Sequence, residues 1–199
     1  MKVLETFIGA DNLAFEIVEC NSSHTQDIKD FCEKCKKEGF KNNESISALK
    51  MGKWGAEENW WAVYNNGYIV SLSGAHWLPH IHNKSYVIAY RLATLDEFKG
   101  MASKIVSSRM LTCFGMGRLL PHMVDWCKSR GATDIVMTFN SPDNGDDPSG
   151  TMHKAHRVAH NILPRDNKFS LMYQDFPLYG AKQDVWKLNY RDLITMEKI

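Results

Sequence analysis

The sequence predicts an α+β fold, with strands and helices following one another in a single domain over residues 1–199. An Asn65-Asn66-Gly67 turn between two aromatic and β-branched runs indicates a β-hairpin. Apolar residues at helical spacing after Gly115 and Gly117 indicate an amphipathic helix. A chain of 199 residues, 44% of them hydrophobic, is long and apolar enough for one core. Local signals give the order β–α–α–β–β–β–α–β–α–β–β, with about seven strands.

The N-terminal part begins with a predicted strand from Leu13 to Glu19, followed by a helix from Thr25 to Lys37. Asn21-Ser22-Ser23 offers capping side chains directly before that helix. Its inner face is formed by Ile28, Phe31, Cys32 and Cys35. The two cysteines have no second pair at zinc-finger spacing, so they are interpreted as ordinary helix positions. Asn43 to Met51 is predicted to form a short second helix.

The middle of the chain contains the hairpin and the strands that follow it. The hairpin strands are predicted over Asn59 to Tyr64 and Tyr68 to Leu78, and Pro79 ends the second of them. Tyr86 to Thr94 is predicted as the next strand. After the amphipathic helix, the short apolar run from Asp134 to Phe139 is typical of a buried strand.

The C-terminal part starts with a polar loop from Ser141 to Ser149. A helix is predicted from Gly150 to Leu163, because Pro164 stops the pattern there. Two further strands, Lys168 to Gln174 and Asp184 to Tyr190, are predicted on either side of a loop containing F-P-L-Y-G-A-K.

The stretch Gly115-Met116-Gly117-Arg118 opens the amphipathic helix. Proline is tolerated only in the first helical turn, so Pro121 predicts a helix start between Gly117 and Leu119. Glycines before that start would leave backbone N–H groups bare at the positive end of the helix, which suits a phosphate or pyrophosphate. The alternative is a tight turn without a ligand.

The run D-E-F-K-G at Asp96–Gly100, followed by G-M-G-R-L-L, resembles the P-E-Y-R-G…G-x-G pattern of GNAT-type N-acetyltransferases. The resemblance implies the GNAT-like acyl-CoA N-acyltransferase fold, a three-layer α/β arrangement. In it, a mixed, mostly antiparallel sheet carries helices on both faces. The segment Met101 to Phe114 interrupts the family loop, and we expect it to be a mobile or partner-contacting excursion. Thr112 stands where the family usually has Arg or Gln.

The resemblance also implies acetyl-CoA as co-substrate, with no metal. The family aligns the pantetheine arm on backbone groups of the strand that ends here at Thr94, and cradles the pyrophosphate on the glycine loop. Arg109 and Lys104 of the interrupting segment are candidates for the missing charge. The predicted cofactor-binding residues are Leu92, Ala93, Thr94, Arg109, Thr112, Gly115, Met116, Gly117, Arg118, Asn140 and Asn144.

Acid–base chemistry is predicted to come from histidines, because the tyrosine that protonates the leaving thiolate in the family is missing from the last helix. His153, His156 and His160 share one face of that helix and have a pKa range suited to proton transfer. A solvated or core-edge histidine face is the alternative. His76 and Tyr90 complete the catalytic candidates, with His76 lining an acceptor cleft. A zinc site with His80 and His82 is a less favoured alternative.

The predicted function is therefore acetyl transfer from acetyl-CoA to an amine of a small molecule or protein. A non-catalytic CoA-binding module and a histidine-liganded metal-dependent hydrolase are alternatives. The net charge of +1 predicts neither a nucleic-acid nor a membrane partner. The absence of a signal peptide and five cysteines, an odd number, predict a cytoplasmic protein without a disulfide framework. A homodimer is left open.

Overall fold

The computed structural model describes residues 2–37, 57–79, 81, 84–102, 114–141 and 169–189. Its helices and strands are β1 (Lys2–Ile8), β2 (Ala14–Glu19), α1 (Thr25–Lys37), β3 (Glu58–Asn65), β4 (Tyr68–Trp77), β5 (Ser85–Thr94), α2 (Leu120–Ser129), β6 (Asp134–Asn140), β7 (Phe169–Leu178) and β8 (Ala181–Leu188). Within these ranges an 8-stranded sheet has the order β1-β2-β3-β4-β5-β6-β8-β7. β5 pairs with β6 in parallel, and the pairs β1–β2, β2–β3, β3–β4, β6–β8 and β7–β8 are antiparallel. The predicted mixed, mostly antiparallel sheet is confirmed.

The chain divides into two compact units. The first contains Met1–Trp77 and Ile88–Gly131, and the second contains Leu78–Val87 and Ala132–Ile199. β5 belongs to both units, because its first three residues fall in the second unit and the rest in the first. Those first three residues are the ones registered against β6.

The predicted hairpin is confirmed by β3 and β4. Asn65 pairs with Tyr68, which leaves Asn66 and Gly67 as a two-residue turn. Their φ angles are 49° and 80°, so both adopt the left-handed conformation that a type I′ turn requires. Asn and Gly are the residues that reach this conformation at least cost, which is why the turn could be recognised from sequence.

The strand β1 was not predicted, because the run K-V-L-E-T-F-I has polar and apolar residues on both faces. β1 is an edge strand with exposed or half-buried residues, and it gains its order from its pairing with β2. Phe7 stacks on Phe15 with ring centroids 5.4 Å apart, and Phe15 packs against Phe114 at 5.0 Å. This aromatic cluster connects the edge of the sheet to the segment before α2.

Helix α1 has the predicted bounds and the predicted buried face. It continues from a 3₁₀ turn, Ser22–His24, whose start is closed by Asn21. The Asn21 side chain accepts hydrogen bonds from the Ser23 amide at 2.9 Å and the Ser23 hydroxyl at 2.6 Å. In return, the Asn21 amide donates to His24 Nδ1 at 3.0 Å, which completes a capping box. The face of α1 contributes to a core cluster comprising Val18, Cys20, Ile28, Phe31, Cys32, Cys35, Trp60, Ala62, Tyr64, Ile69, Leu72, Ala93 and Leu95.

In the second unit, the two C-terminal strands differ from their predicted bounds. β7 continues through Leu178, so the residues F-P-L lie in the strand and were wrongly placed in a loop. Tyr179 and Gly180, with φ angles of 56° and 78°, then form the turn to β8. Pro177 fits because β7 is at the sheet edge, where a missing N–H removes no ladder bond on the outer side.

Two predicted helices, Asn43 to Met51 and Gly150 to Leu163, lie outside the described residues. Among the helices that the structure describes, none combines the length and the apolar character needed to cross a membrane.

Candidate functional site

The helix expected to begin between Gly117 and Leu119 is α2, whose α-helical residues begin at Leu120. Phe114–Leu119 forms a π-helical turn that runs directly into α2, with Pro121 as the second α-helical residue. The expectation of a glycine turn ahead of the helix is therefore wrong, whereas Pro121 does lie in the first α-helical turn. The π-turn has a physical reason: proline cannot donate to the carbonyl four residues back, and its ring crowds that carbonyl. A wider turn before the proline relieves the conflict.

Gly115 and Gly117 have different surroundings within this π-turn. Gly115 is buried under β5, and a Cβ built on it would lie 2.7 Å from Leu92 Cδ1. Only a residue without a side chain fits that approach without displacing Leu92. Gly117 is half-buried. Gly117 is therefore the more exposed of the two glycines.

Arg118 was predicted to contact the cofactor, and the structure places its side chain against β1. Nη1 donates to Glu5 Oε1 at 2.9 Å, and Nε donates to the Ala102 carbonyl at 3.1 Å. The guanidinium carbon lies 4.2 Å from the centre of the Phe7 ring. His122 Nε2 is 3.4 Å from the second oxygen of Glu5. Arg118 thus ties the helix start to the residue that precedes the undescribed segment 103–113.

The C-terminal half of β5 contains the predicted residues Leu92, Ala93 and Thr94. The Ser71 hydroxyl of β4 donates to the Ala93 carbonyl at 3.0 Å and lies 2.8 Å from Thr94 Oγ1. Since the single hydroxyl proton of Ser71 is used on Ala93, Thr94 Oγ1 is the donor in the second bond. Leu92 packs against the π-turn, beneath Gly115. The three residues are therefore held from both β4 and the π-turn.

β5 also contains a backbone irregularity that the sequence did not predict. Ala89 has a φ angle of 54°, a left-handed conformation inside a strand. Its amide donates to Met123 Sδ at 3.3 Å. Along β5, the three residues that pair with β6 are followed by Ile88 and then by Ala89. The regular strand conformation of β5 is thus interrupted at Ala89.

The catalytic candidates His76 and Tyr90 are in contact. The His76 ring is fully buried, and its centroid lies 4.6 Å from the Tyr90 ring in an edge-to-face arrangement. His76 Nδ1 lies 2.6 Å from the Trp77 carbonyl, which can only accept. In the neutral ring the proton is therefore on Nδ1, and Nε2 is the basic nitrogen. Trp60 packs on the other side of Tyr90, at 5.7 Å.

Two buried thiols flank this region and are unsuited to nucleophilic chemistry. Burial raises the pKa of the Cys127 thiol in α2 to about 12. Burial, together with the nearby carboxylates of Asp27 and Glu19, also raises the pKa of the Cys20 thiol to about 12. Since only a thiolate attacks efficiently, both side chains behave as small apolar residues at neutral pH. Burial and a hydrogen bond to Asp27 likewise raise the pKa of Tyr64.

Of the remaining predicted site residues, two lie in described elements and the others lie outside the described residues. Asn140 is the last residue of β6, where its backbone pairs with Gln183, and Met116 lies in the π-turn. Outside the described residues lie Lys104, Arg109, Thr112, Asn144, His80, His82, His153, His156 and His160. Within the described ranges, no group of three His, Cys, Asp or Glu side chains is arranged to hold a metal ion.

The chemistry of the π-turn fits the anionic group of a coenzyme A thioester. The π-turn runs into α2 and lies on the N-terminal side of that helix, towards the positive end of its dipole. The Arg118 guanidinium is bonded to Glu5, so binding of the anion would depend on backbone amides.

No protein-family model matches the sequence, and no curated protein is similar to it at the sequence level. Solved structures are similar. An acetyltransferase of the GNAT family from Staphylococcus aureus Mu50 has a TM-score of 0.54 and 15% identity, over 88% of this chain and 99% of that one. A putative GNAT-family acetyltransferase from Desulfovibrio desulfuricans has a TM-score of 0.55 and 12% identity, over 88% and 98%. The GNAT domain of S. lividans PAT has a TM-score of 0.54 and 10% identity, over 92% and 96%.

These similarities cover most of both chains in each comparison, at identities between 10% and 15%. They establish that the chain has the fold of GNAT acetyltransferases, as the D-E-F-K-G and G-M-G-R pattern predicted.

Proposed function

We propose that the protein is an acetyl-CoA-dependent N-acetyltransferase acting on an amine of a small molecule or a protein. The observation that carries the proposal is the π-turn Phe114–Leu119, which packs against the second half of β5 and runs into the N-terminus of α2. This combination occurs in a chain with the GNAT acetyltransferase fold.

The roles of the chain's own residues follow from this arrangement. The first-turn amides, with Gly117 the more accessible glycine, would bind the pyrophosphate. The backbone of Leu92, Ala93 and Thr94 would orient the pantetheine arm, and Ser71 holds that backbone in place. Acetyl-CoA, when bound, supplies an acyl group activated as a thioester. His76 has the protonation pattern of a base at Nε2, and Tyr90 lies against it. His153 and His156 remain candidates for the acid.

Ligand-induced stabilisation tests the binding half of this proposal. Acetyl-CoA at about one hundred times its Kd should stabilise the folded chain by about 2.7 kcal/mol, because it binds only the folded state. For a chain of this size that corresponds to a rise in Tm of about 5–10 °C. Gly117→Glu should abolish the rise, since its carboxylate repels phosphates and its side chain blocks the backbone. Gly117→Gln, which has the same size without the charge, separates the two causes.

The absence of any rise with millimolar acetyl-CoA or CoA would reject the proposal, as would an unchanged rise in Gly117→Glu. The catalytic half needs a separate measurement. Release of the CoA thiol in the presence of a panel of small and peptide amines distinguishes an enzyme from a CoA-binding module. Binding without turnover on any amine would favour the module.

A further inference from the structure

One buried sulfur atom joins the bulge of β5 to the helix that follows the π-turn. Met123, in the first turns of α2, is fully buried. Its Sδ accepts the Ala89 amide at 3.3 Å and the Ser73 hydroxyl at 3.6 Å. A thioether is a weak acceptor, and it rarely receives two donors. The helix therefore provides an acceptor for the amide of the left-handed residue in β5.

The bulge needs such a partner for two reasons. A non-glycine residue in the left-handed region is strained, so Ala89 keeps φ 54° only if its surroundings favour it. Ala89 is half-buried, and an N–H that is shielded from water without an acceptor is also unfavourable. Met123 meets the second requirement with a side chain long and flexible enough to reach the strand.

The helical segment also contacts β5 at a second place. Three residues along the strand from Ala89, Leu92 packs under Gly115 of the π-turn. The helical segment from Phe114 to Ser129 thus contacts the strand at the bulge and again where the proposed arm-binding residues begin. A shift of the bulge would move Leu92, Ala93 and Thr94 relative to the amides of the π-turn.

We infer that Met123 is a positioning residue for the acyl-CoA site. Its thioether fixes the bulge at Ala89 and thereby the path of the β5 backbone on which the pantetheine arm would lie. This inference rests on the proposed function. It differs from a simple packing role because an apolar side chain of equal volume fills the same space but cannot accept the amide.

The test uses two ligands that both carry phosphates, of which only one carries the pantetheine arm. Acetyl-CoA carries the arm, whereas 3′-phosphoadenosine 5′-diphosphate carries a pyrophosphate without it. Both Kd values are measured by calorimetry on the full chain and on Met123→Leu. Loss of the acceptor should raise the Kd of acetyl-CoA by about tenfold, which is the scale of one unsatisfied donor. The Kd of the diphosphate should rise by less than about twofold.

Val124→Ala is the matched control, because Val124 is buried on the same helix and has no acceptor to lose. It should lower Tm through a cavity while leaving the ratio of the two Kd values unchanged. Met123→Gln, which keeps an acceptor at similar reach, should return the ratio towards the wild-type value. These outcomes together would support a positioning role.

Equal weakening of both ligands in Met123→Leu, or no weakening of either, would overturn the inference. If the wild type binds neither compound, the proposed function fails and the inference fails with it. If Met123→Leu does not fold, hydrogen exchange at the Ala89 amide of the wild type decides. Acetyl-CoA should slow that exchange and the diphosphate should not; equal protection by both would reject the role.

Discussion

The two described α-helices begin in opposite ways. α1 starts behind a capping box, in which Asn21 and His24 satisfy amides with side-chain atoms of the same few residues. α2 continues from a π-turn whose first residues have no polar side chain, and its Leu119 makes no side-chain cap bond. The turn before α1 is closed by side chains of its own segment, whereas α2 is preceded by six further helical residues that approach β5. The first arrangement depends on one short segment, and the second depends on contact with another element.

The largest expected effect on stability comes from Gly115, where the π-turn approaches β5. Helix propensity alone predicts that Gly115→Ala stabilises the protein by about 1 kcal/mol. The new Cβ would meet Leu92, however, and overpacking of this kind costs about 1–3 kcal/mol. We expect a net loss in urea unfolding. Leu92→Ala should remove most of the penalty of Gly115→Ala in a double-mutant cycle. A more stable Gly115→Ala protein would show that the close approach is unimportant.

The cap of α1 gives the next largest effect. Asn21→Ala removes the acceptor of the Ser23 amide and should destabilise the chain by about 1 kcal/mol. The corresponding fall in Tm is about 2–4 °C. Asn21→Asp keeps the acceptor and adds a charge that suits a helix start, so it should be close to wild type. In both variants the rise in Tm with acetyl-CoA should be unchanged. A loss of that rise in Asn21→Ala would contradict the contrast between the two helix starts.

The same contrast explains what could be predicted from sequence. The cap, the bounds and the buried face of α1 all depend on residues within one short segment, and the Asn-Gly hairpin is equally local. Both predictions are confirmed. The π-turn ahead of α2 depends on how Pro121, two glycines and β5 fit together, so the local pattern predicted a glycine turn there instead. The bulge at Ala89 has no signature in the run Y-V-I-A-Y-R-L-A-T, because its partner Met123 is on another element.

The assignment of Arg118 to the cofactor could not have been corrected from local sequence. Its partner Glu5 is 113 residues away, on a strand that the sequence pattern did not predict. A basic residue beside a glycine motif favours a phosphate contact, and that is what the pattern predicted. The structure instead directs the guanidinium to a carboxylate, a carbonyl and an aromatic ring. The cofactor-binding role of Arg118 therefore remains a prediction, with a competing role in joining β1 to the helix start.

The smallest expected effect distinguishes these two roles of Arg118. The ion pair is about one-third exposed, so Glu5→Gln should cost less than about 1 kcal/mol, and high salt should reduce the cost. Arg118→Met keeps the aliphatic length and removes the charge. If Arg118 only joins the elements, Arg118→Met should lose more stability than Glu5→Gln, because it also loses the bond to the Ala102 carbonyl. Both variants should then bind acetyl-CoA within about threefold of wild type. If Arg118 leaves Glu5 to reach the phosphates, Arg118→Met should weaken acetyl-CoA by about tenfold or more. Glu5→Gln, which releases the guanidinium, should then bind more tightly. Calorimetric Kd values for the three proteins decide between a helix start that binds by its amides and one that also recruits a side chain.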